Sequence, residues 1–167
     1  MKIFKGYVGS RTKEAALAAV LGAMFFVLRT IKIPLFPPLV MLEFAQITYS
    51  VAILVLSYPY VLVFVLFLAM TSTAPITIIA GFLGLSTSYF IAKAIGIKWA
   101  KHLVFFTSSI NCAYVVVIFV YILKMFPTAI VIPLMAKSLM SGTPTLIIAP
   151  LFISLLDRMG VIELPEE

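Results

Sequence analysis

Charge is scarce in this chain. Of its 167 residues, 11% are Asp, Glu, Lys or Arg, and only six are acids. A soluble domain carries about 25% charged residues, so a soluble enzyme, a nucleic-acid binder and a disordered regulator all fit poorly. There is a single cysteine, Cys112, which excludes an intramolecular disulfide. Set in an apolar run, it reads as a small packing residue. The sequence also lacks paired carboxylates, a cluster of His or Cys, a phosphate-binding glycine loop and a nucleophile elbow. No catalytic residue, metal ligand or cofactor is therefore assigned. The first 14 residues are too polar for the apolar core of a secretory signal peptide.

What is abundant is apolar surface: 63% of the residues are hydrophobic. That composition predicts an integral membrane protein. A spanning helix takes roughly 20 residues, so the chain holds five or six spans with short loops. No room is left for a nucleotide-binding domain, and any ATP-driven step would belong to a partner.

Residues 44–92 contain no charge. As one helix this run would extend about 74 Å at 1.5 Å per residue, more than twice the hydrocarbon thickness, so it must fold back. The breakers are Ser57-Tyr58-Pro59 and Thr71-Ser72-Thr73-Ala74-Pro75. The expectation is an all-α integral membrane protein, a single transmembrane domain built as a compact bundle of six helices. The spans are placed near 13–31, 43–57, 60–73, 75–93, 103–124 and 128–156. Thr12 is the expected cap of the first span. Pro34, Pro37 and Pro38 make the segment IKIPLFPPLVMLEF a stiff, proline-rich loop between spans 1 and 2. The last span carries Pro133, Gly142, Pro144 and Pro150 and is expected to be kinked or broken.

Six spans place both termini in the cytoplasm of a multi-pass cell-membrane protein. Lys2, Lys5, Arg11, Lys13, Lys93, Lys98, Lys101 and Arg158 then lie inside, against Arg29, Lys32 and Lys124 outside. This is the distribution that the positive-inside rule favours.

Lys137 is left over, inside span 6. It either lines a cavity and meets a ligand, or pairs with a neighbouring span, as at Glu43. Glu43 and Gln46, three apart, share a face at the mouth of span 2. Glu43 is equally an acid stabilised at a helix N-terminus. Asn111, Tyr114 and Tyr121 fall on one face of span 5. An aromatic ring beside an amide suits a flat heterocycle, although Asn111 also suits an interhelical hydrogen bond. Small residues form stripes at Ala15, Ala19 and Ala23, at Ala18 and Gly22, and at Gly81, Gly84, Ser88 and Ala92. Such stripes let helices approach closely, within the protein or against another.

Taken together, these features resemble the substrate-binding S-components of the energy-coupling factor (ECF) vitamin transporters. The shared features are the six-span size, the ladder Ala15-x-x-x-Ala19, the IPLFPP loop running into LEF, and the late helix IPLMAKSL with its interior lysine. Spans 2 and 3 are rich in Val, Leu and Phe where the family is often glycine-rich. Leu134, Met135 and Ala136 stand where it often has an asparagine. The resemblance implies capture of a vitamin-like small molecule, possible examples including a riboflavin-like flavin, without catalysis. It implies partners as well: membrane lipids, a transmembrane coupling subunit that docks on Ala15, Ala19 and Ala23, and cytoplasmic ATPases. Of the expected substrate contacts, Asn111 and Lys137 would match the family's ligand positions, and Glu43, Gln46 and Tyr114 join them on the residue reading above. The alternative is a structural small subunit of a larger membrane complex with no ligand of its own. A membrane enzyme ranks third.

Overall fold

The computed structural model describes residues 6–36, 40–71 and 76–164. The breaks expected at Pro37-Pro38 and 72–75 fall outside these residues, as do Lys2 and Lys5. The described chain is largely helical. The helices are α1 (Arg11–Thr30), α2 (Gln46–Val55), α3 (Tyr58–Thr71), α4 (Ile76–Ile95), α5 (Ile97–Leu103), α6 (Phe106–Val116), α7 (Val131–Gly142) and α8 (Thr145–Arg158). α6 runs on as a π-helical stretch, Val117–Ile122, and α7 is entered through a 3-10 turn at Thr128–Ile130.

Two of these stretches, Ile78–Ile95 and Thr128–Arg158, are long and apolar enough to cross a membrane. A third arises if α5 and α6, bent by 62° at residues 104–105, count as one span. The ten residues of α2 extend only about 15 Å. The surface agrees with an apolar surround. Val20, Val27, Leu66, Met70, Ile79, Phe82, Ile132, Ile147 and Leu151 are all exposed, while Thr48, Ser50, Ser88, Thr107, Ser108, Ser138 and Ser141 are buried. Exposed apolar surface on this scale marks a membrane or interaction face.

The cap of α1 differs from expectation. Ser10, with extended backbone, accepts a hydrogen bond from the Lys13 N–H at 3.3 Å. Thr12 is already inside the first turn, where its backbone cannot serve as a cap. α1 also sorts the two small-residue stripes. Leu17, Ala18, Leu21, Gly22 and Phe25 face inward, whereas Ala15, Ala19, Val20, Ala23 and Val27 are exposed. Gly22 lies directly against the Phe67 ring of α3. Around it, Phe25 and Phe64 meet edge to face at 6.4 Å, and Phe26 and Phe67 at 5.4 Å.

The loop expected after α1 is a two-stranded antiparallel hairpin. β1 (Lys32–Phe36) pairs with β2 (Val40–Glu43), and Lys32 stands opposite Glu43. Both strands of a ribbon are edge strands, so a proline such as Pro34, which has no N–H to give, is tolerated there. β2 packs on α7.

α2 is the hub. Every residue from Ile47 to Val55 is buried, and the helix packs against α1, α3, α4, α5, α7 and α8. A helix that is apolar all round is one that is surrounded. The segment 97–103, expected as part of a loop, is helix α5. Gly96 turns the chain into it at φ +84°. The last span is interrupted at Thr143-Pro144. There Thr143 Oγ1 donates to the Leu139 carbonyl at 2.9 Å and Thr145 Oγ1 to that of Gly142. These hydroxyls occupy carbonyls at the break, as an apolar surround demands.

Candidate functional site

α6 and α7 run antiparallel and are pinned by small polar groups. Ser108 Oγ donates to the Ser138 carbonyl at 2.8 Å and lies 2.9 Å from Ser138 Oγ. Cys112 Sγ donates to the Leu134 carbonyl at 3.4 Å. With Ser108 level with Ser138 and Cys112 level with Leu134, Asn111 and Lys137 stand within about one turn of each other along the axis. Lys137 is half-buried, and its charge acts on Cys112.

Asn111 turns to the other side of α6, against α4. A Cβ on Gly84 would fall 2.6 Å from Asn111 Oδ1 and 2.8 Å from Asn111 Cα. Gly84 is therefore what lets these backbones meet. Asn111 Oδ1 is buried and has no hydrogen-bond partner. One turn on, the Tyr114 hydroxyl lies 2.9 Å from Thr87 Oγ1 of α4. Side chains lean toward the N-terminus of their helix, which lets Tyr114 reach back along α6 to Thr87. Asn111 and Tyr114 thus share the α4–α6 seam, and Lys137 borders the α6–α7 seam of the same helix.

Tyr121 does not join them. It is exposed, because the π-helical stretch from Val117 changes the hydrogen-bond register to i→i+5 and breaks the spacing that would have aligned it with Asn111 and Tyr114. Gln46 opens α2 on the hairpin side, with its Oε1 buried and unpartnered. Glu43 closes β2 three residues earlier, and its side chain lies outside the described residues.

A polar cluster that composition did not reveal sits at the opposite end of the bundle. Glu14, expected in a headgroup segment, is 7% exposed. Its carboxylate accepts the Ser57 N–H between α2 and α3. Lys93, expected in a cytoplasmic loop, belongs to the last turn of α4. Its Nζ donates to the Leu54 carbonyl at 3.3 Å and lies 4.2 Å from the centre of the Tyr7 ring. Glu14 acts on Lys93 electrostatically. Burial pushes the Tyr7 hydroxyl above its usual value. The segment carrying Tyr7 is tied down at both faces: Tyr7 N–H donates to Val55 O at 2.8 Å, and Glu163 N–H to Tyr7 O at 2.7 Å. The available signal was the position of Lys93, which ends a neutral run of 49 residues without leaving the helix.

Among the described residues, no group of three or more His, Cys, Asp or Glu could hold a metal. Compared with known proteins, the chain matches no family model, no curated protein and no solved structure.

Proposed function

We propose that the chain is the substrate-capture subunit of an ATP-driven importer, of the ECF type, for a vitamin-like micronutrient. In this reading it is a six-span membrane protein with both termini in the cytoplasm, α6 with its π-helical extension and Thr128–Arg158 each making one span. The carrying observation is Asn111 Oδ1, buried without a donor in the α4–α6 seam. Leaving such an acceptor unpaired costs about 1–3 kcal/mol, and a heterocycle with an N–H edge would recover it. Tyr114 offers a ring one turn away; Lys137 borders the seam on the other side of α6, and its contribution as a cation is what the Lys137→Ala variant tests. The hairpin β1–β2, packed on α7, is the lid. Ala15, Ala19 and Ala23, uncovered on α1, are the face for a transmembrane coupling subunit, which in turn engages the ATPases. A flavin-like ligand suits a stacking ring beside an amide.

The test is to purify the protein from rich medium and identify co-purifying small molecules by mass spectrometry and absorbance. Thermal shifts across a vitamin panel follow. A stoichiometric heterocycle is expected, with affinity lost at least tenfold in Asn111→Leu and in Lys137→Ala, about the value of one charged hydrogen bond. An apo protein that no vitamin stabilises would favour the structural-subunit reading. Full affinity in Lys137→Ala would remove that residue from the site.

A further inference from the structure

A cavity lies between α4, α5 and the start of α6. It encloses about 170 Å³ and is partly open to the outside. Ser88 and Ala92 of α4, Ala100 and Leu103 of α5, and Phe106 and Thr107 of α6 line it. Apolar cavities of roughly 150 Å³ hold a benzene ring, whereas metabolite sites run to about 300–1,000 Å³. The space therefore suits a length of hydrocarbon. Its rim is apolar and faces outward: Ile91, Ile95, Leu103 and Phe106 are all exposed.

Two further observations say what enters. Ser88 is 4% exposed, lines the cavity, and its Oγ has no hydrogen-bond partner. Ser88 and Thr107 are thus the polar side chains in an apolar wall, and Ser88 Oγ is the unpartnered one. The second observation is the build of α5. At roughly 100° per residue, Ala100, Leu103 and Val104 form the face on the cavity. Lys101 falls at one edge of that face and Trp99 at the other. Lys98 and His102 fall behind it, and no acid interrupts IKWAKHL. Trp99 is 64% exposed. A short helix with one apolar face, a tryptophan and flanking lysines, set at 62° to the next helix, is built to lie at a membrane interface.

We propose that this cavity is a binding site for one anionic glycerophospholipid. An acyl chain enters between Ile91 and Phe106. Ser88 donates to an ester oxygen, and the headgroup phosphate meets Lys101, with Lys98 contributing field. Basic pockets beside spanning helices recognise anionic headgroups in this way. The site adjoins the Asn111 seam, with Ser88 and Ile110 in its wall, but uses neither Asn111 nor Tyr114 and requires only that the chain sit in a membrane, so it stands whether or not the importer reading does.

The experiment is native mass spectrometry of the full chain released from nanodiscs made of phosphatidylglycerol, phosphatidylcholine or an equal mixture. One phosphatidylglycerol is expected to persist at collision energies that strip phosphatidylcholine. Lys101→Gln should lower the preference for the anionic lipid about fivefold, the usual worth of one interfacial cation. Ala92→Phe, which fills the cavity, should abolish retention of either lipid. Ser88→Ala, which changes no volume the fold depends on, should weaken retention if Ala92→Phe fails to fold. Equal retention of the two lipids by the wild type, or undiminished retention in both Ala92→Phe and Ser88→Ala, would overturn the proposal. Binding of inorganic phosphate with the same preference and no bound lipid would show an anion site without a chain, and would also overturn it.

Discussion

Replacing Glu14 by Ala tests the least expected feature of the molecule, a carboxylate buried in the first turn of α1. The substitution leaves the Ser57 N–H without its acceptor. A buried unpaired donor costs about 1–3 kcal/mol. It also removes a negative charge that acts on Lys93, itself half-buried between Leu54 O and the Tyr7 ring. Since the two groups interact at a distance, this adds about 1 kcal/mol rather than the 3–5 kcal/mol of a broken direct pair. The sum, about 2–4 kcal/mol, corresponds to a drop of roughly 5–15 °C in Tm for a chain of this length. Cys112 is the only thiol and is half-buried, so a thiol-reactive fluorophore reports unfolding in detergent without labelling elsewhere. Glu14→Gln, which keeps an acceptor oxygen and loses the charge, should show about a third of the effect. Lys93→Met in the Glu14→Ala background should recover part of the loss, a coupling that the double-mutant cycle measures. A Glu14→Ala protein that melts with the wild type, or a pair of substitutions that simply add, would refute the account of the cluster.

Three further outcomes follow from the geometry. Gly84→Ala places a Cβ 2.8 Å from Asn111 Cα, and two backbones cannot yield as a side chain can. A loss of about 1–3 kcal/mol is expected in thermal melts, whereas Ala19→Val on the exposed face should leave Tm unchanged. Gly96→Ala meets open space but is held at φ +84°, so it should cost about 1 kcal/mol in chemical denaturation. Tyr7 has its hydroxyl pushed up by burial. The folded state therefore holds this proton more tightly than the unfolded chain does. Its contribution is full below about pH 10 and is lost as pH rises through the higher folded value. Tyr7→Phe should flatten that alkaline fall in Tm while leaving the Lys93 ring contact in place.

Punctuation was legible because it is local. Pro59 and Ser57 end one helix and begin the next, since proline has no donor and fits only a first turn; α2 stops at Val55 and α3 starts at Tyr58. The break in the last span was legible from Pro144 for the same reason. The alternation of hairpin strands was hidden by the prolines, and the helicity of α5 by its lysines. The cap at Ser10 lay two residues earlier than composition suggested. Asn111 and Tyr114 both meet α4, because three residues make nearly a turn. Tyr121 left that face through a π-helical register that side-chain spacing does not encode.

Composition alone decided that this chain is helical and apolar enough for a membrane, because hydrocarbon demands that backbone groups be paired within the segment. It could not decide which faces turn inward. In a water-soluble protein apolar residues point to the core, but against lipid Val20 outside and Leu21 inside are equally at ease. The choice fell to shape and to the few polar atoms. Gly22 and Gly84 admit a neighbour, Ser108 and Ser138 pin one helix to another, and Glu14 and Lys93 go where an N–H and a carbonyl await them. Those pairings join residues up to 43 positions apart, and only the folded bundle brings them together.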